Sequence, residues 1–94
     1  MTVMAFVAIN TEPGEEKQVH NALRNVEGVD PYMVYGRWDI FAEIIAPNFD
    51  SAMGTYLAIK RAPGVQSVLA IGVDMVYKIP RKEPETVPVK PTPQ

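Results

Sequence analysis

The residues best suited to chemistry lie between two apolar segments, at positions 34–40. Gly36 can adopt a positive φ and so suits a tight reversal, and the carboxylate of Asp39 can bond to nearby backbone amides. Arg37 and Trp38 are not needed to form a turn. Arg37 supplies the hydrogen-bond donors of its guanidinium, and Trp38 supplies a large aromatic surface. Two interpretations stay open: a hairpin turn whose Trp38 covers the edge of the core, and a recognition loop for a small zwitterion or a partner chain.

Chemistry elsewhere in the chain is sparse. His20 is the only histidine and there is no cysteine, so the sequence supports neither a metal site nor a thiol nucleophile. We interpret His20 as a residue at the surface or rim of the first helix. No nucleophile motif surrounds Ser51 or Ser67, and no glycine-rich loop could cradle a phosphate. We therefore predict no catalytic residues, no metal and no cofactor.

Composition narrows the class of protein further. The 94 residues suit one small domain, and the formal net charge of −2 argues against a basic face that binds nucleic acid. No signal peptide and no apolar run of membrane-spanning length is recognised. We therefore expect a protein of the cytoplasm that contacts neither nucleic acid nor membrane.

Hydrophobic periodicity predicts six elements in the order β-α-β-β-α-β. They are a strand over 1–10, a helix entered through 11–16 with Thr11 as a cap and ended by Gly28, strands over 29–35 and 40–46, a helix between 47–50 and 63–64, and a strand over 65–77. Pro31 places the second strand at an edge or a bulge. We expect one domain over 1–79 and a proline-rich, extended or disordered tail over 80–94.

This order predicts an α+β, ferredoxin-like fold of the dimeric α/β-barrel type, in which a four-stranded antiparallel sheet carries both helices on one face. The strands are nevertheless apolar on both faces. The uncovered face would expose on the order of 400 Å² of apolar surface, about the size that marks an interface. We therefore predict that this face packs against a copy of itself in a two-fold dimer.

With these features, the chain resembles the RAM domain, the effector-binding half of the Lrp/AsnC transcription regulators. The resemblance covers residues 3–76. It depends on the element order, on Gly28-Val29 after the first helix, on Pro63-Gly64-Val65 before the last strand and, most specifically, on the Gly-x-aromatic-Asp pattern at 36–39.

The resemblance implies a non-enzymatic regulatory domain of the stand-alone kind, without a helix-turn-helix domain. Family dimers assemble into rings, often octamers or decamers, and bind amino-acid effectors between neighbouring dimers. Mixed oligomers with full-length regulators would then modulate those regulators. Tyr35, Gly36, Trp38 and Asp39 carry over as residues of the ligand loop, in which Asp39 would hold either the loop or the ligand's ammonium group.

The last strand departs from the family pattern, which often places polar residues there. Gln66 and Ser67 can supply polar contacts, whereas Val68 and Ala70 cannot do so through their side chains. Arg37 would favour a ligand with a carboxylate, or is simply a surface arginine. Two other functions stay open: a small enzyme of the cofactor-free monooxygenase type, and a constitutive ring or adaptor whose tail is a docking ligand.

Overall fold

A computed structural model describes residues 2–76, and these contain the six predicted elements in the predicted order. The elements are β1 (Thr2–Thr11), α1 (Glu16–Arg24), β2 (Val29–Met33), β3 (Ile40–Ala46), α2 (Phe49–Arg61) and β4 (Val65–Val76). The predicted tail lies outside the described residues, as does the predicted boundary between 79 and 80. Neither helix in the described part is long and apolar enough to cross a membrane.

The four strands form one antiparallel sheet in the order β2-β3-β1-β4. The fold is therefore the expected ferredoxin-like one, with β1 and β3 at its centre. Strand β2 is an edge strand, as Pro31 predicted, because a proline cannot donate to a second neighbour. A register shift between Phe6 and Val7 of β1 leaves Ile71 of β4 as an extra residue beside Gly72.

The core lies between the sheet and its two helices. Ile9, Ile40 and Ile44 of the central strands are fully buried, and Leu23 of α1 and Ile59 of α2 pack into the same cluster. Helix α1 buries Val19 and Leu23 of the apolar face that its periodicity predicted. For α2 the prediction was wrong, because Phe49, Met53 and Leu57 are exposed and the buried residues are Ala52 and Ile59.

The opposite face of the sheet is uncovered in a single chain. Residues that alternate with the core positions point to this side, and their side chains remain between 39% and 58% exposed. We call this surface the open face and define it by Phe6, Tyr32, Phe41, Ile45, Leu69 and Ile71. A contiguous apolar surface of this kind commonly marks an interface.

The predicted end of α1 at Gly28 was wrong, because the helix ends at Arg24 and Gly28 lies in the turn before β2. Two further sequence-based boundaries were also wrong. The helix α1 begins at Glu16 and has no side-chain cap, while Thr11 is the last residue of β1 and is buried. Strand β2 ends at Met33 rather than at residue 35, so Tyr35 belongs to the loop. In both cases a tertiary hydrogen bond, described below, determines the conformation. Helix α2 has a side-chain cap, because Asn48 Oδ1 accepts a hydrogen bond from the Ser51 amide at 2.8 Å.

Gly28 allows a close approach between two backbone segments. Its φ is +79°, and a Cβ added there would lie 2.5 Å from the carbonyl oxygen of Ile45. The Ile45 amide donates to the Gly28 carbonyl at 2.8 Å. Gly36 also has a positive φ, of +126°, but an added Cβ would point into open space.

These two glycines form a matched pair for a stability test. We expect Gly28→Ala to lower the free energy of unfolding more than Gly36→Ala, because both add left-handed strain, of about 1–3 kcal/mol, but only the first adds a clash with backbone. Urea unfolding at one protein concentration measures the difference. Equal losses for the two variants would contradict the close approach.

Candidate functional site

The loop between β2 and β3, residues 34–39, is tied down at its base. The Val34 amide donates to the Asp39 carbonyl at 3.0 Å, and the Asp39 amide donates to the Ile9 carbonyl at 3.0 Å. These two bonds close the loop and join it to the end of β1. The residues between them therefore project from one end of the sheet on a fixed base.

The Asp39 side chain strengthens the same connection. Its Oδ2 accepts a hydrogen bond from the Thr11 amide at 2.8 Å, and the Thr11 hydroxyl lies 3.4 Å away. A carboxylate that accepts from a part-buried amide makes a stronger bond than a neutral acceptor would. Of the two roles considered for Asp39, the geometry therefore supports holding the loop, and we call this contact the Asp39–Thr11 latch.

A further hydrogen bond joins the residue after Thr11 to the turn before β4. The amide of Glu12 donates to the carbonyl of Gly64 at 2.8 Å. The end of β1 is thus bonded to the 34–39 loop on one side and to the 63–64 turn on the other. Sequence reasoning missed Thr11 because its partner lies 28 residues away, and no local pattern reports such a contact.

The tip of the loop is open to solvent. The Tyr35 side chain is 99% exposed, Arg37 is exposed and Trp38 is half-buried. Gly36 needs the conformational freedom that was expected of it, since its φ is +126°. The loop therefore presents an aromatic ring, a guanidinium and an indole to whatever approaches this end of the sheet.

A shallow groove of about 410 Å³ lies between the loop and the beginning of α1. Its walls combine apolar, acidic and basic groups, from Gly14, Glu16, Lys17, Met33, Val34, Tyr35 and Asp39. Glu16 Oε1 accepts from the Gly14 amide at 3.2 Å, which draws the carboxylate towards the groove. Glu16 and Lys17 lie beside the loop only in the folded chain, so no local sequence pattern indicates that they border it.

The seven predicted site residues do not converge within one chain. Gln66 and Ser67 are exposed at the start of β4, where Ser67 pairs with Asn10. They lie at the same end of the sheet as the loop but on the other side of β1. Arg37, Trp38, Gln66 and Ser67 do not line the groove beside α1.

His20 has a structural contact. Its Nε2 lies 3.1 Å from the carbonyl oxygen of Pro31, so this nitrogen is the donor. The bond joins α1 to β2.

The open face carries one polar pair. The Tyr32 hydroxyl donates to Asp30 Oδ2 at 2.6 Å, and this bond together with the negative charge of Asp30 raises the pKa of Tyr32 above its ordinary value. Tyr32 also borders a hollow of about 390 Å³ with Phe6, Phe41, Glu43 and Ile71. At neutral pH the hydroxyl therefore keeps its proton.

No family model matches this sequence, and no curated protein matches it. Solved structures do share the fold. Hypothetical protein PHS023 from Pyrococcus horikoshii is similar with a TM-score of 0.71 and 22% identity, over 80% of this chain and 92% of that one. Escherichia coli AsnC is similar with a TM-score of 0.66 and 19% identity, over 86% of this chain and 56% of that one.

A third similar structure carries a different name. The E. coli Tat proofreading chaperone protein NapD has a TM-score of 0.68 and 12% identity, over 95% of this chain and 90% of that one. At these identities the similarities show the fold. They include AsnC, a protein of the family that the sequence resembles, and this chain spans about half of its length.

The latch can be tested by removing its carboxylate. Asp39→Ala leaves the part-buried Thr11 amide without this acceptor, and we expect a loss of about 1–3 kcal/mol in the free energy of unfolding. Asp39→Asn keeps an acceptor oxygen and should lose less. Urea unfolding measures both, with Asp30→Asn on the open face as the control. An Asp39→Ala protein as stable as the parent would contradict the latch.

Proposed function

We propose that this chain is an Lrp/AsnC-type regulatory domain, resembling the RAM domain, that binds a small effector without transforming it. The effector is an amino acid, and full-length regulators of this type in the cytoplasm are the partners it modulates. The observation that carries the proposal is the exposed Gly-x-aromatic-Asp loop held on a fixed base by the Asp39–Thr11 latch. Such a loop can present donors and aromatic surface in one defined arrangement.

The chemistry around the loop suits a zwitterion. The Arg37 guanidinium can bind a carboxylate through two parallel hydrogen bonds, and the Glu16 carboxylate can accept from an ammonium group. Tyr35 and Trp38 supply apolar walls for a side chain. Asp39 holds the loop, because its Oδ2 accepts a hydrogen bond from the Thr11 amide.

The open geometry argues for a site shared between chains. The groove between the loop and α1 is shallow in a single chain, and Gln66 and Ser67 lie across β1 from the loop. A neighbouring dimer that placed its β4 start against this loop would bring all seven predicted residues together. We therefore propose that the effector binds between dimers of an octameric or decameric ring.

The dimer itself forms through the open face. This surface is largely apolar apart from Glu43 and the Asp30–Tyr32 pair, it crosses the sheet, and the helices do not cover it. Packing two such faces together removes both from water, which is the dominant favourable term in association. The hollow beside Tyr32 can accommodate side chains of a second copy.

No observation favours the enzyme alternative over this one. His20, the residue on which that alternative depended, is bonded to the Pro31 carbonyl, and fold similarity alone does not imply activity. The constitutive ring differs from the proposal only in its indifference to amino acids. A ligand titration therefore separates the two.

A charge on the open face tests the dimer. Ile71 is 58% exposed on this face, so Ile71→Glu should leave the fold intact and yield single chains, because burying an unpaired carboxylate is costly. Leu57→Glu on the solvent side of α2 is the matched control and should remain associated. Sedimentation velocity at micromolar concentration measures both. A dimeric Ile71→Glu protein would rule out this interface.

Effector binding can be followed through Trp38, the single tryptophan of the chain. We expect one or a few of the common amino acids to change its fluorescence saturably, with calorimetry confirming the affinity. Arg37→Ala should weaken that binding about tenfold or more, the loss of a charge-assisted hydrogen bond. Arg61→Ala, at the end of α2, should not alter it. Absence of binding by every amino acid in both assays would refute the sensing function.

A further inference from the structure

A second apolar surface lies on the helix side of the sheet, beside edge strand β4. Phe49 and Met53 of α2 are 51% and 43% exposed, one helical turn apart, and Tyr56 follows them. Ala70 and Val73 of β4 face the same way and are also exposed. Together they line a groove of about 90 Å³ whose walls are almost wholly apolar. We call it the α2–β4 groove.

This groove is separate from the surfaces described above. It lies on the covered side of the sheet, whereas the open face lies on the other side. A dimer formed through the open face therefore leaves it exposed to water. The effector loop is distant from it, because Val73 pairs with Ala5 near the beginning of β1 and the loop joins the end of β1.

We propose that the α2–β4 groove is the docking site for the chain's own proline-rich segment, centred on Pro88-Val89-Lys90-Pro91. The first argument is position. Strand β4 reaches Val76 three residues beyond Val73, about 10 Å past the groove. The described part of β4 thus ends near the surface that residues 77–94 would cover.

The length of the segment allows it to return. Val76 and Pro88 are twelve positions apart, a separation that would span about 37 Å in a polyproline II conformation. The groove from Phe49 to Tyr56 is about 10 Å long along α2. Because the segment is tethered, its effective concentration at the groove is on the order of millimolar, so a weak contact suffices to hold it.

The chemistry of the two surfaces also agrees. Pro88 and Pro91 are three residues apart, which is one turn of polyproline II, so they lie on the same face of that helix. Grooves lined by aromatic side chains bind this arrangement at low entropic cost, and Phe49 and Tyr56 supply the aromatic rings here.

Charge favours the same pairing. Residues 2–76 carry five Lys and Arg against nine Asp and Glu, whereas residues 77–94 carry four Lys and Arg against two Glu. The described fold is therefore acidic and the segment is basic. Asp50, exposed in the first turn of α2 next to Phe49, places a negative charge at the groove.

The docking of the segment can be tested with a spin label at one defined site, because the chain has no cysteine of its own. A single Thr92→Cys substitution in the full chain accepts one nitroxide label, and isotope-labelled amides report which surface it approaches. We expect a selective loss of amide signal at residues 49–56 and 70–73. Pro88→Ser with Pro91→Ser should restore those signals, whereas Pro80→Ser with Pro84→Ser is the matched control and should not.

A mixed sample identifies whose segment is seen. Spin-labelled chains without isotope are combined with isotope-labelled chains without nitroxide. The proposal requires no loss of groove signals in this mixture, since each segment covers its own groove. Loss in the mixture as well as in the chain that carries both labels would assign the groove to the segment of a second copy and overturn the proposal. The proposal would also fail if the chain that carries both nitroxide and isotope showed no loss of groove signals. It would fail as well if the Pro88/Pro91 and Pro80/Pro84 variants gave the same groove signals.

Discussion

Two helices can cover only one face of a four-stranded sheet, and the rest of this structure follows from that constraint. Strands β1, β3 and β4 are apolar on both sides, so one set of side chains forms the core and the other meets water. In a single chain, the apolar side chains of the open face stay in contact with water and add nothing to the buried core. The open face is therefore the surface through which the proposed dimer would form, and the proposed effector site would lie between the sheet ends of neighbouring dimers.

The candidate site depends on β1 more than on the residues that would touch a ligand. The last residue of β1 is latched to Asp39, and the next residue is bonded to the turn before β4. The exposed loop and the polar start of β4 are thus held at fixed positions on either side of one strand. A motif that looks like a set of ligand contacts contains one residue, Asp39, whose role is to position the others.

Local sequence patterns predicted the order of the elements, the edge position of the strand that contains Pro31, and the apolar residues on both faces of the strands. These features could be predicted because hydrophobic periodicity and turn-forming residues are local properties of the sequence. They failed where a distant partner determines the conformation. Thr11 has the chemistry of a helix cap but pairs with Asp39, and Glu16 and Lys17 look solvated but border the loop. Exposed Phe49 and Met53 follow helical spacing, so only the structure reveals that they line a groove.

The measurement that tests this account most directly is the native mass by light scattering, with and without a pool of the common amino acids. If the open face forms dimers and the effector binds between them, one amino acid should shift the particle from a dimer to a larger ring. A stable single chain would contradict the role of the open face. A large ring indifferent to every amino acid would contradict the effector site and indicate a constitutive assembly.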